Sequence, residues 1–277
     1  MKLGLIAGGG QLPKHVVQAA TEEGLDISVI GLEGYANSAD YAGITFFRLA
    51  EFGKIVKFLK KSKCTHLCFA GIVKRPNFKA LKPDLKAMLH MPGAIKAAQD
   101  GDDALMRYLL ELFEKEGFEI MSPQSLCQSL VLPEGVLGAV KISENHVDDT
   151  KKACEIASKI GALDIGQGAV VNRGVVLTVE AQEGTDAMLE RLLDLPEALR
   201  GTAQARSGVL AKMVKPGQDM RVDLPTIGPL TVEKAARAGL AGIVAEGGRS
   251  FIIDREKVIE IADAAGIFIA GLPQAKE

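Results

Sequence analysis

Two hydrophobic periods alternate along the first 120 residues. Leu3-Gly4-Leu5-Ile6-Ala7 is a short apolar run that stops at Gly8-Gly9-Gly10, the length of a buried strand. Pro13 then suits a first helical turn, where its missing N–H would have no intrahelical partner anyway. Val16, Val17 and Ala20 follow at helical spacing as far as Gly24. Residues 27–31 predict a second strand, 44–49 a third, 54–61 a helix and 66–70 a fourth strand that ends at Gly71. Residues 79–91 and 104–117 read as helices and 119–121 as a last short strand. Alternation of this kind predicts a doubly wound parallel sheet.

Between Ser122 and Gly138 the periodicity fades and Pro123, Pro133, Gly135 and Gly138 appear. A domain boundary is expected there, giving a Rossmann-like domain over 1–132 and a second α/β domain over 133–277. In the second half, 147–160 predicts a helix. Residues 169–171 and 175–179 predict a hairpin turning at Asn172-Arg173-Gly174. Helices over 185–193, 230–238 and 255–265 alternate with strands over 208–214, 240–245, 251–254 and 267–270, which implies a mixed sheet.

Composition narrows the class. The 277 residues are 47% hydrophobic and 25% charged, a globular mixture. A net charge of -2 argues against a general nucleic-acid-binding field. Cys64, Cys68, Cys127 and Cys154 have neither CxxC nor zinc-ligand spacing, so buried reduced thiols are expected. No apolar run reaches the ~18–20 residues a bilayer span needs, and a soluble, cytoplasmic protein is expected.

Four regions carry candidate chemistry in residue type and spacing. Gly9, Gly10 and Gln11 lie between a strand and a helix, and Gly71 ends another strand. Backbone N–H groups at such a helix start can receive a phosphate, although GxGxxG and GxxxxGK[ST] are both absent. Lys74, Arg75, Lys79, Lys82, Lys86 and Lys96 surround the single carboxylate Asp84. With Phe78, Leu81, Leu85, Met88 and Leu89 they describe a basic amphipathic helix, fit for a membrane surface or for covering a phosphate-bearing amphiphile. The acidic cluster Asp100-Gly101-Asp102-Asp103 that follows suits either a Mg²⁺ site or, more commonly, a helix start with Asp102 as cap and Asp103 in the first turn.

The densest constellation lies later. Gln167 stands in Gly-Gln-Gly before the hairpin, and Glu183 and Thr185 open a helix after it. Asp219, Arg221 and Asp223 alternate, so in an extended segment they would share one face, close in sequence to Lys212 and Lys215. Two carboxylates around a guanidinium suit a metal meeting a polyphosphate.

These blocks, together with Leu5-Ile6-Ala7-Gly8-Gly9-Gly10-Gln11-Leu12-Pro13, Gly101-Asp102-Asp103-Ala104, Glu183-Gly184-Thr185-Asp186-Ala187-Met188 and the run from Lys215 to Gly228, resemble the UDP-2,3-diacylglucosamine pyrophosphatases of the LpxI type. The resemblance implies hydrolysis of UDP-2,3-diacylglucosamine to UMP and lipid X on the route to lipid A. It also implies a divalent cation, usually Mg²⁺, and substrate in a cleft between two α/β domains. The family's essential aspartate falls on Asp223. Asp223, Asp219 and Glu183 are then expected at the metal. Lys212, Lys215 and Arg221 would meet developing charge, and Gly9, Gly10, Gln11, Gly71, Lys74, Arg75, Gln167 and Thr185 would bind substrate. A homodimer, with peripheral contact to the inner membrane and no nucleic-acid partner, completes the expectation. The competing readings are another nucleotide-sugar phosphohydrolase and a non-catalytic lipid-phosphate-binding protein.

Overall fold

A computed structural model describes residues 1–222 and 224–274. Their contacts divide the chain into two compact units: Met1–Gln128 with a short segment that begins at Asp219, and Ser129–Gln218 with the chain from Leu224 onward.

The first unit runs β1 (Lys2–Ala7), α1 (Leu12–Glu22), β2 (Asp26–Leu32), β3 (Thr45–Phe47), α2 (Phe52–Lys61), β4 (His66–Ala70), α3 (Leu85–Asp100), α4 (Asp102–Lys115), β5 (Glu119–Met121) and α5 (Pro123–Leu126). Its five strands are parallel in the order β3-β2-β1-β4-β5. Residue parity explains why the sheet is covered on both faces. Ile6 packs with Ile55, Leu59, Leu110 and Phe113 of α2 and α4. Leu3 and Leu5 point to the other face and are also fully buried.

The basic helix expected over 79–91 is not formed as such. Phe78–Ala80 is a single 3₁₀ turn, and α3 begins only at Leu85. Pro83 disfavours helix at the residue before it. The Asp84 carboxylate then caps α3, accepting the Ala87 N–H at 2.8 Å, and also accepts the Lys54 N–H at 2.9 Å. Phe78 and Leu81 therefore share no helical stripe with Leu85. Asp102 and Asp103 do occupy the first turn of α4, but Gly101, at φ +136°, holds the capping position expected of Asp102.

The second unit runs β6 (Gly135–Leu137), α6 (Val147–Ala162), β7 (Gly168–Asn172), β8 (Val175–Val179), α7 (Gly184–Leu192), β9 (Val209–Lys212), β10 (Thr226–Ile227), α8 (Pro229–Arg237), β11 (Gly242–Glu246), β12 (Phe251–Ile252), α9 (Arg255–Ala265) and β13 (Phe268–Leu272). The mixed sheet is ordered β6-β13-β11-β9-β7-β8, parallel through β13, β11 and β9 and antiparallel elsewhere. Alternate residues again separate two cores. Val170, Leu210, Ile243 and Ile269 join α7, α8 and α9. Ala169, Val171, Ala211, Val244 and Phe268 meet Ala153 and Ala157 of α6. The hairpin turns at Arg173 and Gly174, both with positive φ, the arrangement that matches strand twist. Residues 251–254, expected as a full strand, give the two-residue β12, which pairs with β10 and bridges to Val131 through Phe251. Among the described residues no helix is long and apolar enough to cross a membrane.

Candidate functional site

In an open α/β sheet the crevice for ligands lies at the carboxyl ends of strands where the order reverses. In the first unit that place is between β1 and β4. Here the two loops are zipped together. The Gly8 N–H donates to Ala70 O at 2.8 Å and the Gly9 N–H to Ile72 O at 2.9 Å. Ile72 N–H returns to Gly9 O at 2.8 Å. Gly71 adopts φ +96°, and a Cβ there would meet Gly9 O and the Pro13 ring. The glycines thus permit close approach of backbone to backbone, and the Gly9 N–H is committed. Gly10 and Gln11 are exposed just ahead of α1. Lys74 is exposed and its carbonyl accepts from Tyr35 Oη at 3.3 Å. Arg75 turns to the junction of α3 and α4, pairing with Asp102 at 2.8 Å and donating to Ala98 O.

The strip from Lys212 to Asp223 is not a single extended strand. Lys212 ends β9 with 6% exposure, and its ammonium donates to Thr226 O at 2.8 Å. Lys215-Pro216-Gly217-Gln218 then forms a tight turn, with Gly217 at φ +79° and Gln218 N–H on Lys215 O at 3.1 Å. Pro and Gly at its two central positions are what a type II turn requires. Lys215 Nζ pairs with Asp164 at 2.7 Å.

Beyond the turn, Asp219 Oδ1 accepts the Arg221 N–H at 3.0 Å, and Val222 N–H bonds Asp219 O at 3.1 Å. This second turn breaks the alternation on which a shared face for Asp219 and Arg221 depended: an aspartate that captures the N–H two residues on favours a turn over a strand. The Arg221 guanidinium holds Asp219 with contacts of 2.6–3.2 Å and Glu114 at 2.6 Å. Hydrogen bonds from Arg221 keep the Asp219 carboxyl below its usual range, with Arg107 adding positive charge. Asp219 and then Glu114 raise the Arg221 value in return. Asp223 lies outside the described residues.

A third polar group lies beside β7. Thr185 donates to Glu180 Oε1 at 2.9 Å. Glu180 is 7% exposed, and its Oε2 has no hydrogen-bond partner among the described residues. A Cβ at Gly168 would run into the Glu180 carboxylate and one at Gly166 into the Glu180 backbone carbonyl, so the Gly-Gln-Gly spacing admits Glu180 close against the chain. Gly168 pairs in register with Lys212, which puts both residues on one sheet face. Gln167 Oε1 is buried and likewise has no partner among the described residues. Glu183 pairs with Arg191 at 2.7 Å.

Sequence reasoning passed over Glu180 and Glu246. Each directly follows or ends an apolar strand, Val175–Val179 for Glu180 and Gly242–Glu246 for its counterpart, and that placement is the signal that would have found them. Glu246 accepts the Val214 N–H at 2.9 Å and pairs with Arg249 at 3.0 Å. Among the described residues no three His, Cys, Asp or Glu side chains converge as a metal donor set. The four cysteines are unpaired, and burial pushes the Cys127 and Cys154 thiols up to about 11 and about 12, a poor setting for thiolate chemistry.

The family descriptions LpxI N-terminal domain and LpxI C-terminal domain match residues 2–130 and 133–270. The chain is 52% identical over 277 residues to the UDP-2,3-diacylglucosamine pyrophosphatase LpxI of Caulobacter vibrioides, covering 99% of each chain. Among solved structures, a Thermus thermophilus UDP-glucose 4-epimerase complexed with NAD aligns at 16% identity and a TM-score of 0.31, over 99% of this chain and 86% of that one. An Aspergillus clavatus N5-carboxyaminoimidazole synthase aligns at 15% identity and a TM-score of 0.22, over 70% and 45%. Neither likeness is close enough to carry an argument. Two family matches in the right order, and a relative matched from end to end, show that this chain belongs to the LpxI family.

Proposed function

We propose that the chain hydrolyses the diphosphate of UDP-2,3-diacylglucosamine to UMP and 2,3-diacylglucosamine 1-phosphate (lipid X), a step of lipid A biosynthesis. The observation that carries this reading is the end-to-end identity with a relative bearing that activity in its name. The buried Lys212 ammonium at the carboxyl end of β9 supports it. On this reading Asp223 orients the attacking water. The buried Lys212 ammonium, which donates to Thr226 O, turns towards a phosphate oxygen. Lys215 and Arg221 meet the charge that grows on the leaving phosphate, each giving up part of its present carboxylate contact. Gln167 and Thr185 orient the sugar phosphate. Gly10 and Gln11, with Lys74 and Arg75, receive the nucleotide end, while Gly9 and Gly71 hold the two loops together beneath it.

A divalent cation, Mg²⁺ by preference, is part of the same proposal, and when bound it would neutralise diphosphate oxygens as a Lewis acid. Asp219 and Glu183 do not fit as open ligands, because each carboxylate is already held by a guanidinium. Asp223 is the proposed protein ligand. On the same reading the enzyme works in the cytoplasm as a homodimer.

The test is incubation of purified protein with UDP-2,3-diacylglucosamine, with Mg²⁺ or with EDTA, following UMP release. Mg²⁺-dependent UMP formation and far slower cleavage of UDP-glucosamine are expected. Binding without UMP release, or equal turnover of both substrates, overturns the reading. Asp223→Asn should lower kcat about 10²–10³-fold, the typical cost of losing one such group, while leaving the circular dichroism unchanged.

A further inference from the structure

Helix α3 is built inside out. Its inward side is small: Ala87 and Ala98 are buried, and a Cβ on Gly93 would collide with the Tyr108 ring of α4. Tyr108 Oη donates to His90 O at 3.2 Å across the same seam. The large apolar residues point the other way. Leu85 is 84% exposed, Leu89 80% and Met88 56%. At 100° per residue these three and Pro92 fall within an arc of about 100°. An ordinary surface helix puts its large side chains inward and its polar ones outward, so this face calls for a covering partner.

The charges around it say which kind. Lys79 and Lys82 are exposed just before the helix and Lys96 along the same outward side. None of the three makes an ion pair among the described residues. The nearby carboxylate Asp84 is spent on the N–H groups of Ala87 and Lys54. Lys86, on the helix flank, is drawn off to Glu116. Leucines ringed by free ammonium groups match a layer with anionic headgroups above acyl chains.

We propose that the outward face of α3 docks the protein on anionic lipid bilayers, with Leu85, Met88 and Leu89 entering the headgroup–acyl boundary and Lys79, Lys82 and Lys96 meeting lipid phosphates. This goes beyond the hydrolytic reading and does not depend on it, because vesicle binding needs no substrate. Each lysine near such a surface is worth roughly a fivefold gain in partitioning, weakened by salt.

The test is co-sedimentation of the full chain with large unilamellar vesicles, of phosphatidylcholine alone or of phosphatidylcholine with phosphatidylglycerol. Binding to the anionic vesicles is expected, falling with salt, with little binding to phosphatidylcholine alone. Leu85→Ser/Leu89→Ser should weaken it at least tenfold, and Lys79→Gln/Lys82→Gln/Lys96→Gln to a similar degree. All five side chains are exposed, so melting temperatures should stay at the parental value. Failure of the parental protein to bind anionic vesicles overturns the proposal. So does parental binding by the leucine variant. Two further results would reassign the face with vesicle binding intact. Loss of turnover on dispersed substrate in the leucine variant would give it to the substrate's chains. A shift from dimer to monomer in sedimentation velocity would give it to a second copy.

Discussion

Glu51 accepts from Arg48 Nη2 at 2.6 Å, from Lys54 Nζ at 2.8 Å and from the Arg48 backbone N–H at 3.0 Å. These bonds, that from Arg48 first, lower its carboxyl from the ordinary value to about 2. Asp219 is lowered likewise by Arg221. A carboxyl whose folded value lies below its unfolded one stabilises the fold above the unfolded value and loses that contribution as pH falls through the folded one. Urea midpoints should therefore fall steadily from about pH 5 towards pH 2. Glu51→Gln should lower stability at pH 7 by about 1–3 kcal/mol and flatten that acid limb. An acid limb as steep as the parental one would show that Glu51 does not supply it. The same residue-level view separates the legible from the illegible in the candidate site. Lys212 stood out as a cation close in sequence to the alternating Asp219, Arg221 and Asp223. Glu180 did not, because a glutamate after a strand is ordinary until Gly166 and Gly168 are seen making space for it. The second turn at Asp219 depends on a side chain choosing a nearby N–H over solvent, which spacing alone does not reveal.

Most elements could be read from periodicity where a local pattern and a local stop signal coincide. Strands β4, β5 and β8 and helix α9 have their expected bounds, each closed by a glycine, a turn or a change of period. Elements defined by distant partners could not. Strand β6 lies in the Pro/Gly-rich stretch and exists through antiparallel pairing with β13. Strand β10, two residues long, exists through pairing with β12, and β12 itself keeps only the first two residues of the strand expected over 251–254. Helix α3 misled because the basic, apolar run before it looked continuous with it, and Pro83 with Asp84 moved the true start. Strand packing also makes one glycine testable. Gly242 of β11 pairs with Phe268 of β13, and the Phe268 ring, almost fully buried, fills the space a Cβ would need. Gly242→Ala should cost about 1–3 kcal/mol as overpacking, a fall in melting temperature of roughly 2–4 °C for each kcal/mol. Phe268→Leu in the same chain should restore part of the loss. A melting temperature unchanged by Gly242→Ala would mean that the ring has room to move.

At the scale of the whole molecule, the order of residues and the compact units part company at one place. Residues 133–270 match a single family domain, yet the segment that begins at Asp219 belongs to the first unit. Its anchors are explicit. Val222 packs against the first unit's core, Ser122 Oγ donates to Met220 O at 3.4 Å, and Arg221 bridges its own Asp219 to Glu114 of α4. Lys215 and Arg221, six residues apart, therefore belong to different units, and the catalytic residue proposed at 223 follows directly after these anchors. Such an arrangement makes the Glu114–Arg221 pair an attachment for the strip as well as a charge contact. Both side chains are about 40% exposed, so solvent screening holds the coupling in a double-mutant cycle of Glu114→Gln and Arg221→Met to about 0.5–1 kcal/mol. Activity should respond differently from stability. Glu114→Gln should lower kcat/KM several-fold with little change in melting temperature, because it loosens the strip without removing a group from the reaction, and 1 M NaCl should shrink the difference from the parental enzyme. Arg221→Met should cost far more, since it removes both the anchor and the proposed cation. Equal losses in the two variants would instead mean that Arg221 contributes only the anchor, leaving Lys212 and Lys215 to meet the leaving phosphate.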